Sequence, residues 1–284
     1  MGKNRMRKNF GVIGNPIAHS LSPLMHNAAF KFYSLDYEYE RILIPSEEEL
    51  TSFIKNSSKE YLGLNVTLPY KNSVIKHLDF VSPEALLAGS VNTIVVEESG
   101  KLNGYSTDGY GLEMALKANF NSEPSNTKYL FLGCGGAANS CIVHLLSCGA
   151  KNIIIANRTQ SKADELVSKL RCVFPFSEIY SCSLHDSDSL KRFIKDDYLI
   201  IQSTSLGLKD SDELPLDVSL LTNGARIFDM IYKETKFQKM AKEKGCKCFG
   251  GLDMLLHQGA KSFEIWTGLQ APVIIMKNAL NLFK

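Results

Sequence analysis

Tyr129-Leu-Phe-Leu-Gly-Cys-Gly-Gly-Ala-Ala-Asn139 decides the fold: an apolar run breaks into glycines and then resumes with helix-forming residues. That order predicts a strand, a tight turn and a helix start. Gly133, Gly135 and Ala138 fit the spacing GxGxxA, in which small residues let backbone N–H groups approach a pyrophosphate at the positive end of the following helix. A bare glycine turn between strand and helix carries the same pattern, so neighbouring segments must separate the two readings.

Downstream the order repeats, with strands predicted at 128–132, 152–156, 198–201 and 226–229 and helices at 136–148, 161–170 and 236–244. Such a βαβ series implies a parallel, doubly wound α/β sheet. Upstream, strands are predicted at 10–13, 37–44, 62–67, 91–96 and 101–105, and helices at 24–33, at 46–55 and around 112–118. Ser22-Pro23 reads as an N-cap followed by proline at the first helical position. The polar stretch 121–127 reads as a linker or a surface loop. Leu252, Leu255, Leu256, Phe263 and Trp266 share a helical face and 273–282 repeats the pattern, so the chain ends in docking helices.

The 284 residues suffice for two domains with cores of their own. A hydrophobic content of 44% with 22% charged residues marks a soluble globular chain, and a net charge of +2 argues against a large nucleic-acid or membrane surface. Small-molecule partners fit better. No apolar run approaches the roughly 18 residues needed to span a bilayer. The basic N-terminus leads into the short strand 10–13 without an apolar leader region, and reads as a frayed tail. Seven cysteines without dense spacing fit the reducing cytoplasm. Cys246-Lys-Cys248 has no second pair at zinc-site spacing, so the two read as small strand residues and no metal is assigned. A homodimer is compatible with the chain, since sequence does not separate an interface patch from a core face.

Four polar segments carry candidate chemistry. After strand 152–156, where an NAD site places an acid on the ribose, the chain reads Asn157-Arg158-Thr159 with Lys162 one turn on. Two cations and a hydroxyl suit a 2′-phosphate, which favours NADP over the alternative of Thr159 as a helix cap among solvated neighbours. Ser20 and Ser22 stand at a helix N-terminus, where hydroxyls and N–H groups suit a carboxylate; a plain cap reads the same. Lys71 follows a strand in the predicted first turn of a helix, unfavourable for a cation and so suited to proton transfer or to polarising a carbonyl; a surface lysine is the alternative. Asp108 precedes a helix, as an N-cap or as the partner of Lys71, and Asn92 enters a strand where its amide could hold a hydroxyl or merely form a turn.

Together and in this order, GNPIAHSLSPLMHN, NVTLPYK, GSVNT, STDGYG, GCGGAA, NRT, STSLG, FDMIY and GLDMLLHQGAKSFEIWTG resemble the shikimate dehydrogenase family from Phe10 to the C-terminus. The resemblance implies two α/β domains with a cleft between them. Residues 1–107 and 253–284 would bind substrate and carry catalysis, the C-terminal helices returning to the first domain, and 108–252 would form a Rossmann-like NADP domain. Ser20 and Ser22 would hold the carboxylate of shikimate, Thr67, Asn92, Asp108 and Gln258 its ring hydroxyls, and Lys71 with Asp108 would be the catalytic pair. Tyr232 would close over the carboxylate. Cofactor contacts would come from Gly133, Gly135, Gly136 and Ala137, from Asn157, Arg158, Thr159 and Lys162, and from Thr204, Met230 and Gly251. A lysine ordinarily titrates at about 10.4, so a free-base role at neutral pH needs tuning and an orienting role stays open.

Three departures stand out. Ser106 replaces the usual asparagine before Thr-Asp, Cys134 brings an oxidisable thiol into the glycine loop, and the loop Lys233-Glu-Thr235 looks short, which puts its geometry in question. Two other readings are an NAD-accepting quinate/shikimate dehydrogenase, which usually carries an acid near Asn157, and a non-catalytic NADP-binding sensor, which would not need Lys71, Asp108 and the serine pair together.

Overall fold

The computed structural model describes residues 9–282; the basic tail at 1–8 lies outside the described residues. The chain forms two compact units, one running to Gly111 and resuming at Leu256, the other spanning Leu112–Leu255.

The first unit contains β1 (Asn9–Gly14), α1 (Ser22–Phe32), β2 (Glu38–Leu43), α2 (Glu47–Ser57), β3 (Tyr61–Val66), β4 (Phe80–Val81), α3 (Pro83–Ala88), β5 (Thr93–Val96), β6 (Leu102–Tyr105) and the start of α4 (Asp108–Phe120). Its sheet has the order β2-β1-β3-β5-β6-β4. β1 is parallel to both neighbours, whereas β3–β5 and β5–β6 are antiparallel. Phe10, Val12 and Ile13 are all buried, the near-continuous apolar run expected of a central parallel strand. The carboxyl ends of β1 and β3 deliver the segments that follow Gly14 and Val66, where open α/β sheets gather ligand groups.

Helix ends show where local rules hold and where they are overridden. α2 starts as its glutamates suggest: the Ser46 hydroxyl accepts the Glu49 N–H at 3.3 Å. α1 does not. Leu21 occupies its cap position and makes no side-chain cap bond, while Ser22 is the first helical residue and is buried. Ser20 supplies the nearby acceptor, with the Ser22 N–H 3.4 Å from its Oγ, so the Ser22 hydroxyl is left for other contacts.

The second unit contains β7 (Lys128–Leu132), α5 (Gly136–Ser147), β8 (Asn152–Asn157), α6 (Gln160–Val173), β9 (Glu178–Ser183), α7 (Ser187–Lys195), β10 (Leu199–Gln202), β11 (Arg226–Asp229), α8 (Lys236–Glu243) and β12 (Lys247–Gly250). Its order is β12-β11-β10-β7-β8-β9 and every pair is parallel. Counted within the unit from the β9 edge this is 3-2-1-4-5-6, the Rossmann order, with its switch point between β7 and β10. Segment 121–127 belongs inside this unit and is a loop, not a linker. Ser122 and Thr127 are buried, their hydroxyls lie 2.9 Å apart, and Ser122 also meets the Tyr129 phenol at 3.2 Å. β9 and α7 escaped the sequence reading. α7 buries only Leu190 and Ile194 in an otherwise polar segment.

α9 (Leu252–Thr267) and α10 (Val273–Asn281) close the chain, and from Leu256 onward they belong to the first unit. Trp266 anchors α9 on the sheet by donating its indole N–H to the Ile94 carbonyl at 2.9 Å. Among the described residues no helix is long and apolar enough to cross a membrane.

His26 on α1 is an unusual core residue. Its ring is fully buried, stacks on Tyr39 with centroids 4.4 Å apart, and tilts against Trp266. Neither ring nitrogen has a hydrogen-bond partner among the described residues. Burial lowers its pKa from 6.5 to about 3, so the native imidazole stays neutral while the unfolded one takes a proton below 6.5. The unfolded state then binds the extra proton, so this stability is present above pH 6.5 and is lost as pH falls toward 3. His26→Phe keeps the stacked ring and removes the titration. Urea denaturation between pH 7 and pH 4 should give the parent the steeper loss, by up to about 1.4 kcal/mol per pH unit; equal slopes would contradict the assignment.

Candidate active site

Lys71 lies just beyond β3, and its carbonyl accepts the Val91 N–H at 2.8 Å. It does not occupy the first turn of an α-helix: only a short 3-10 turn at Ser73–His77 follows. The expected helix-dipole pressure on its charge is therefore absent. Asp108, the first residue of α4, holds the ammonium instead, with Nζ donating to Oδ2 at 2.6 Å. The two side chains are 14% and 6% exposed, so the pair is largely out of water.

The second carboxylate oxygen belongs to Asn92, whose amide nitrogen donates to Asp108 Oδ1 at 2.9 Å, to Thr107 Oγ1 at 2.9 Å and to Gln258 Oε1 at 3.3 Å. Its amide oxygen accepts from the Thr107 N–H at 2.8 Å and the Thr93 hydroxyl at 2.9 Å. Both Asp108 oxygens thus serve other elements rather than capping α4, and Asn92 is the fastener of the pair rather than a turn former.

Behind Asn92, the Asn65 amide donates to the Asn92 carbonyl at 2.9 Å and to Ser262 Oγ at 3.1 Å, and it accepts the Tyr39 phenol at 2.7 Å. Burial pushes the Tyr39 phenol well above its ordinary range, partly offset by the neighbouring Ser22 hydroxyl. A buried polar relay therefore runs from Ser22 through Tyr39 and Asn65 to Asn92, Asp108 and Lys71. Ser20 adjoins Ser22, and Arg41 Nε donates to the Ser20 carbonyl at 2.8 Å, tying that loop to β2. Thr67 continues β3, its N–H bonded to the Ile13 carbonyl at 2.9 Å. The first unit thus brings Lys71, Asn92, Asp108 and Gln258 into one network and joins Ser22 to it. Tyr232 and the proposed cofactor residues lie in the second unit.

In that unit the chain leaves β7 at Gly133, whose φ of +102° strains any L side chain and whose added Cβ would stand 3.0 Å from Thr204 Cγ2. Ser203 Oγ donates to the Leu132 carbonyl at 2.8 Å, fastening the β7 end to the β10 end at the switch point. Gly135 caps α5 without a side-chain bond, and the space beside its Cα is open, followed by Gly136 and Ala137 in the first turn. At the end of β8, Asn157 Nδ2 donates to the Thr159 carbonyl at 2.8 Å. Thr159 occupies the cap position of α6 yet its hydroxyl makes no cap bond. Arg158 and Lys162 are exposed, and no ion pair engages either among the described residues. Gly251 meets the Met230 carbonyl so closely that a Cβ would stand 2.1 Å from its oxygen.

This set fits a phosphorylated dinucleotide. Gly133, Gly135 and the unoccupied amides of α5 suit a pyrophosphate, and no acid stands at the end of β8 to repel a 2′-phosphate. Cys134 is less open to oxidation than the sequence suggests: burial pushes its thiol up, only partly countered by Lys162 nearby.

Family models match three stretches: the shikimate dehydrogenase substrate binding domain at 12–94, shikimate / quinate 5-dehydrogenase at 115–206, and the shikimate 5'-dehydrogenase C-terminal domain at 251–280. A shikimate dehydrogenase (NADP(+)) of Bacillus cereus (strain 03BB102) is 40% identical over 277 residues, covering 96% of this chain and 97% of the relative. The chain belongs to the shikimate dehydrogenase family. Among solved structures, the Listeria monocytogenes shikimate 5-dehydrogenase in complex with shikimate and NAD is 33% identical, with a TM-score of 0.87 and 99% of each chain covered. The Thermus thermophilus shikimate 5-dehydrogenase in complex with NADP(H) and shikimate is 34% identical, with a TM-score of 0.84, 97% of this chain and 99% of that chain covered.

Family membership leaves several supporting residues to this structure alone. Buried Asp229 ends β11 and accepts from the Ile231 N–H at 3.0 Å, Thr235 Oγ1 at 2.9 Å and Gln238 Nε2 at 3.1 Å. These bonds close the short Lys233–Thr235 connection at its base, where Gln238 Nε2 also donates to the Lys233 carbonyl at 3.2 Å. Buried Gln202 does the same after β10, binding the N–H and hydroxyl of Thr204 at 2.9 Å each and the Leu206 carbonyl at 2.9 Å. Ser106 Oγ, in contrast, is buried with no hydrogen-bond partner among the described residues. A polar residue closing an apolar strand was the available signal for Asn65, Gln202 and Asp229; Tyr39 had none.

Tyr39→Phe would leave Asn65 Oδ1 buried without its donor, and equilibrium denaturation should show a loss of about 1–3 kcal/mol. A loss near zero would mean that the 2.7 Å bond does not tie the relay together.

Proposed function

We propose that the chain is an NADP-dependent shikimate dehydrogenase, which reversibly reduces 3-dehydroshikimate to shikimate in chorismate and aromatic amino-acid biosynthesis. The carrying observation is the buried Lys71–Asp108 pair fastened by Asn92, in a chain whose β8 ends in cations rather than an acid. A non-catalytic sensor has no use for a buried charge pair built at this cost. We assign substrate binding and catalysis to 1–107 with 253–284 and NADP to 108–252, acting on small molecules in the cytoplasm as a monomer or homodimer.

Ser20, Ser22 and Tyr232 hold the substrate carboxylate, and Thr67, Asn92, Asp108 and Gln258 receive the ring hydroxyls. NADPH, when bound, supplies a hydride to the C3 ketone. The chain supplies the proton: Lys71 Nζ donates to the C3 oxygen as charge develops on it, and Asp108 Oδ2 keeps the ammonium aimed and stabilises its positive charge before transfer. In the oxidative direction Lys71 accepts that proton. Asn92 holds Asp108 Oδ1 throughout, so the carboxylate cannot rotate away from the lysine. On the second unit, Gly133, Gly135, Gly136 and Ala137 receive the pyrophosphate, Asn157, Arg158, Thr159 and Lys162 the 2′-phosphate end, and Thr204, Met230 and Gly251 the nicotinamide end.

Turnover of shikimate should be followed as NADPH formation, with quinate and with NAD as the two substitutions. Absence of turnover with shikimate and NADP would overturn the proposal, and preference for quinate with NAD would favour the related dehydrogenase. Lys71→Ala should lower kcat by on the order of 10²-fold or more with a smaller change in KM; an unchanged kcat would remove it from proton transfer. Arg158→Ala should raise KM for NADP far more than for NAD, whereas equal losses would refute the phosphate role.

A further inference from the structure

The sequence reading considered metal only at Cys246-Lys-Cys248, and those thiols are buried, with Cys248 pushed up to about 12 by burial. A different cysteine has the better company. Glu113 on α4 and His144 and Cys148 on and just beyond α5 bring one ligand atom each within 4.8 Å of the others. We propose that these three residues form a site for a single thiophilic divalent cation of the zinc class.

Three observations converge. His144 Nε2 lies 2.8 Å from Glu113 Oε2 and 3.6 Å from Cys148 Sγ, and that sulfur lies 3.8 Å from the same carboxylate oxygen. Zinc–nitrogen, zinc–oxygen and zinc–sulfur bonds at tetrahedral angles give ligand edges of about 3.3–3.6 Å, so two edges already match closely. The third is shorter because a proton now joins His144 to Glu113, and a cation in its place opens that edge by about half an ångström. His144 and Cys148 stand one helical turn apart, which puts them on one face. They also lie at the carboxyl end of α5, where the last carbonyls and the helix dipole favour positive charge. His144 and Glu113 are 15% and 25% exposed and Cys148 is exposed, so a cation has access from solvent while two ligands are held by packing.

Protons and charge balance without an outside reagent. The Cys148 thiol releases its proton to solvent, and the proton shared by His144 Nε2 and Glu113 Oε2 leaves to solvent or is replaced by one on Nδ1, so that Nε2 of a neutral imidazole gives its lone pair and Glu113 binds as the carboxylate, leaving one tetrahedral position for solvent. Binding therefore releases protons and strengthens as pH rises. A cation there would pin α4 to the far end of the helix whose opening turn is the glycine loop.

The test is a titration of the full-length, metal-free, reduced chain with Co²⁺, followed by displacement with Zn²⁺. A single equivalent should produce a thiolate-to-cobalt absorption band in the near ultraviolet, weaker at pH 6 than at pH 8, and Zn²⁺ should raise the Tm. Cys148→Ser should abolish the band, and His144→Gln and Glu113→Gln should each weaken binding by about tenfold or more. A band that survives Cys148→Ser would place the cation on another cysteine, and saturation without any thiolate band would mean that the cluster is only an ion pair; either overturns the proposal.

Discussion

The 2.6 Å pair between Lys71 and Asp108 makes the demand that the rest of the first unit answers. Removing a lysine and an aspartate from water costs several kcal/mol per ion, and mutual attraction offsets this only when the remaining lone pairs and protons are satisfied. Asp108 has a second oxygen, and Asn92 satisfies it. Asn92 must then be held itself, which brings in the Thr107 N–H and the hydroxyls of Thr93 and Thr107. Each buried polar group recruited to support the last one needs support of its own, so the network ends only where it reaches backbone or solvent.

That chain of demands explains the placement of α9. Gln258 and Ser262 stand one helical turn apart and face the network: Gln258 meets Asn92, while Ser262 Oγ lies 2.8 Å from Thr93 Oγ1 and donates back to the Gln258 carbonyl at 3.0 Å. Phe263, fully buried, and Trp266 supply the apolar burial that holds the helix there. A hydrogen-bond network in low dielectric is strong when complete and costly when one member is lost. The C-terminal helix is therefore part of the site's electrostatics as much as of its scaffold, although a long stretch of chain separates it from Asn92.

The legibility of the sequence follows the range of the forces involved. The βαβ order, the glycine turn and the cations after β8 are local patterns and were readable as they stand. Ser22 was misread because a serine followed by proline meets the local rule for a cap, while the tertiary contact with Tyr39 decides its use. The dipole argument for Lys71 rests on a helix that is only a 3-10 turn and so fails, whereas pairing with Lys71 was one of the two readings open for Asp108 beside an N-cap. α7 was missed because it is only nine residues long and mostly polar, with just Leu190 and Ile194 buried. The histidine and cysteine one turn apart on α5 drew no reading, because Glu113 joins them only through tertiary packing.

The two units use charge in opposite ways. In the first, Lys71 and Asp108 are desolvated in advance, so the structure must carry their whole network before any ligand arrives, and loss of one member is felt in folding. In the second, Arg158 and Lys162 stay in water, where an unpaired cation costs little, while the loops after β10 and β11 are fixed by the well-bonded groups Gln202 and Asp229. A phosphate group arriving at exposed cations completes an interaction that solvent and salt had screened. The first unit can therefore tolerate few substitutions around Asn92, whereas exchange of one or two exposed side chains after β8 leaves the network of hydrogen bonds in the second unit undisturbed.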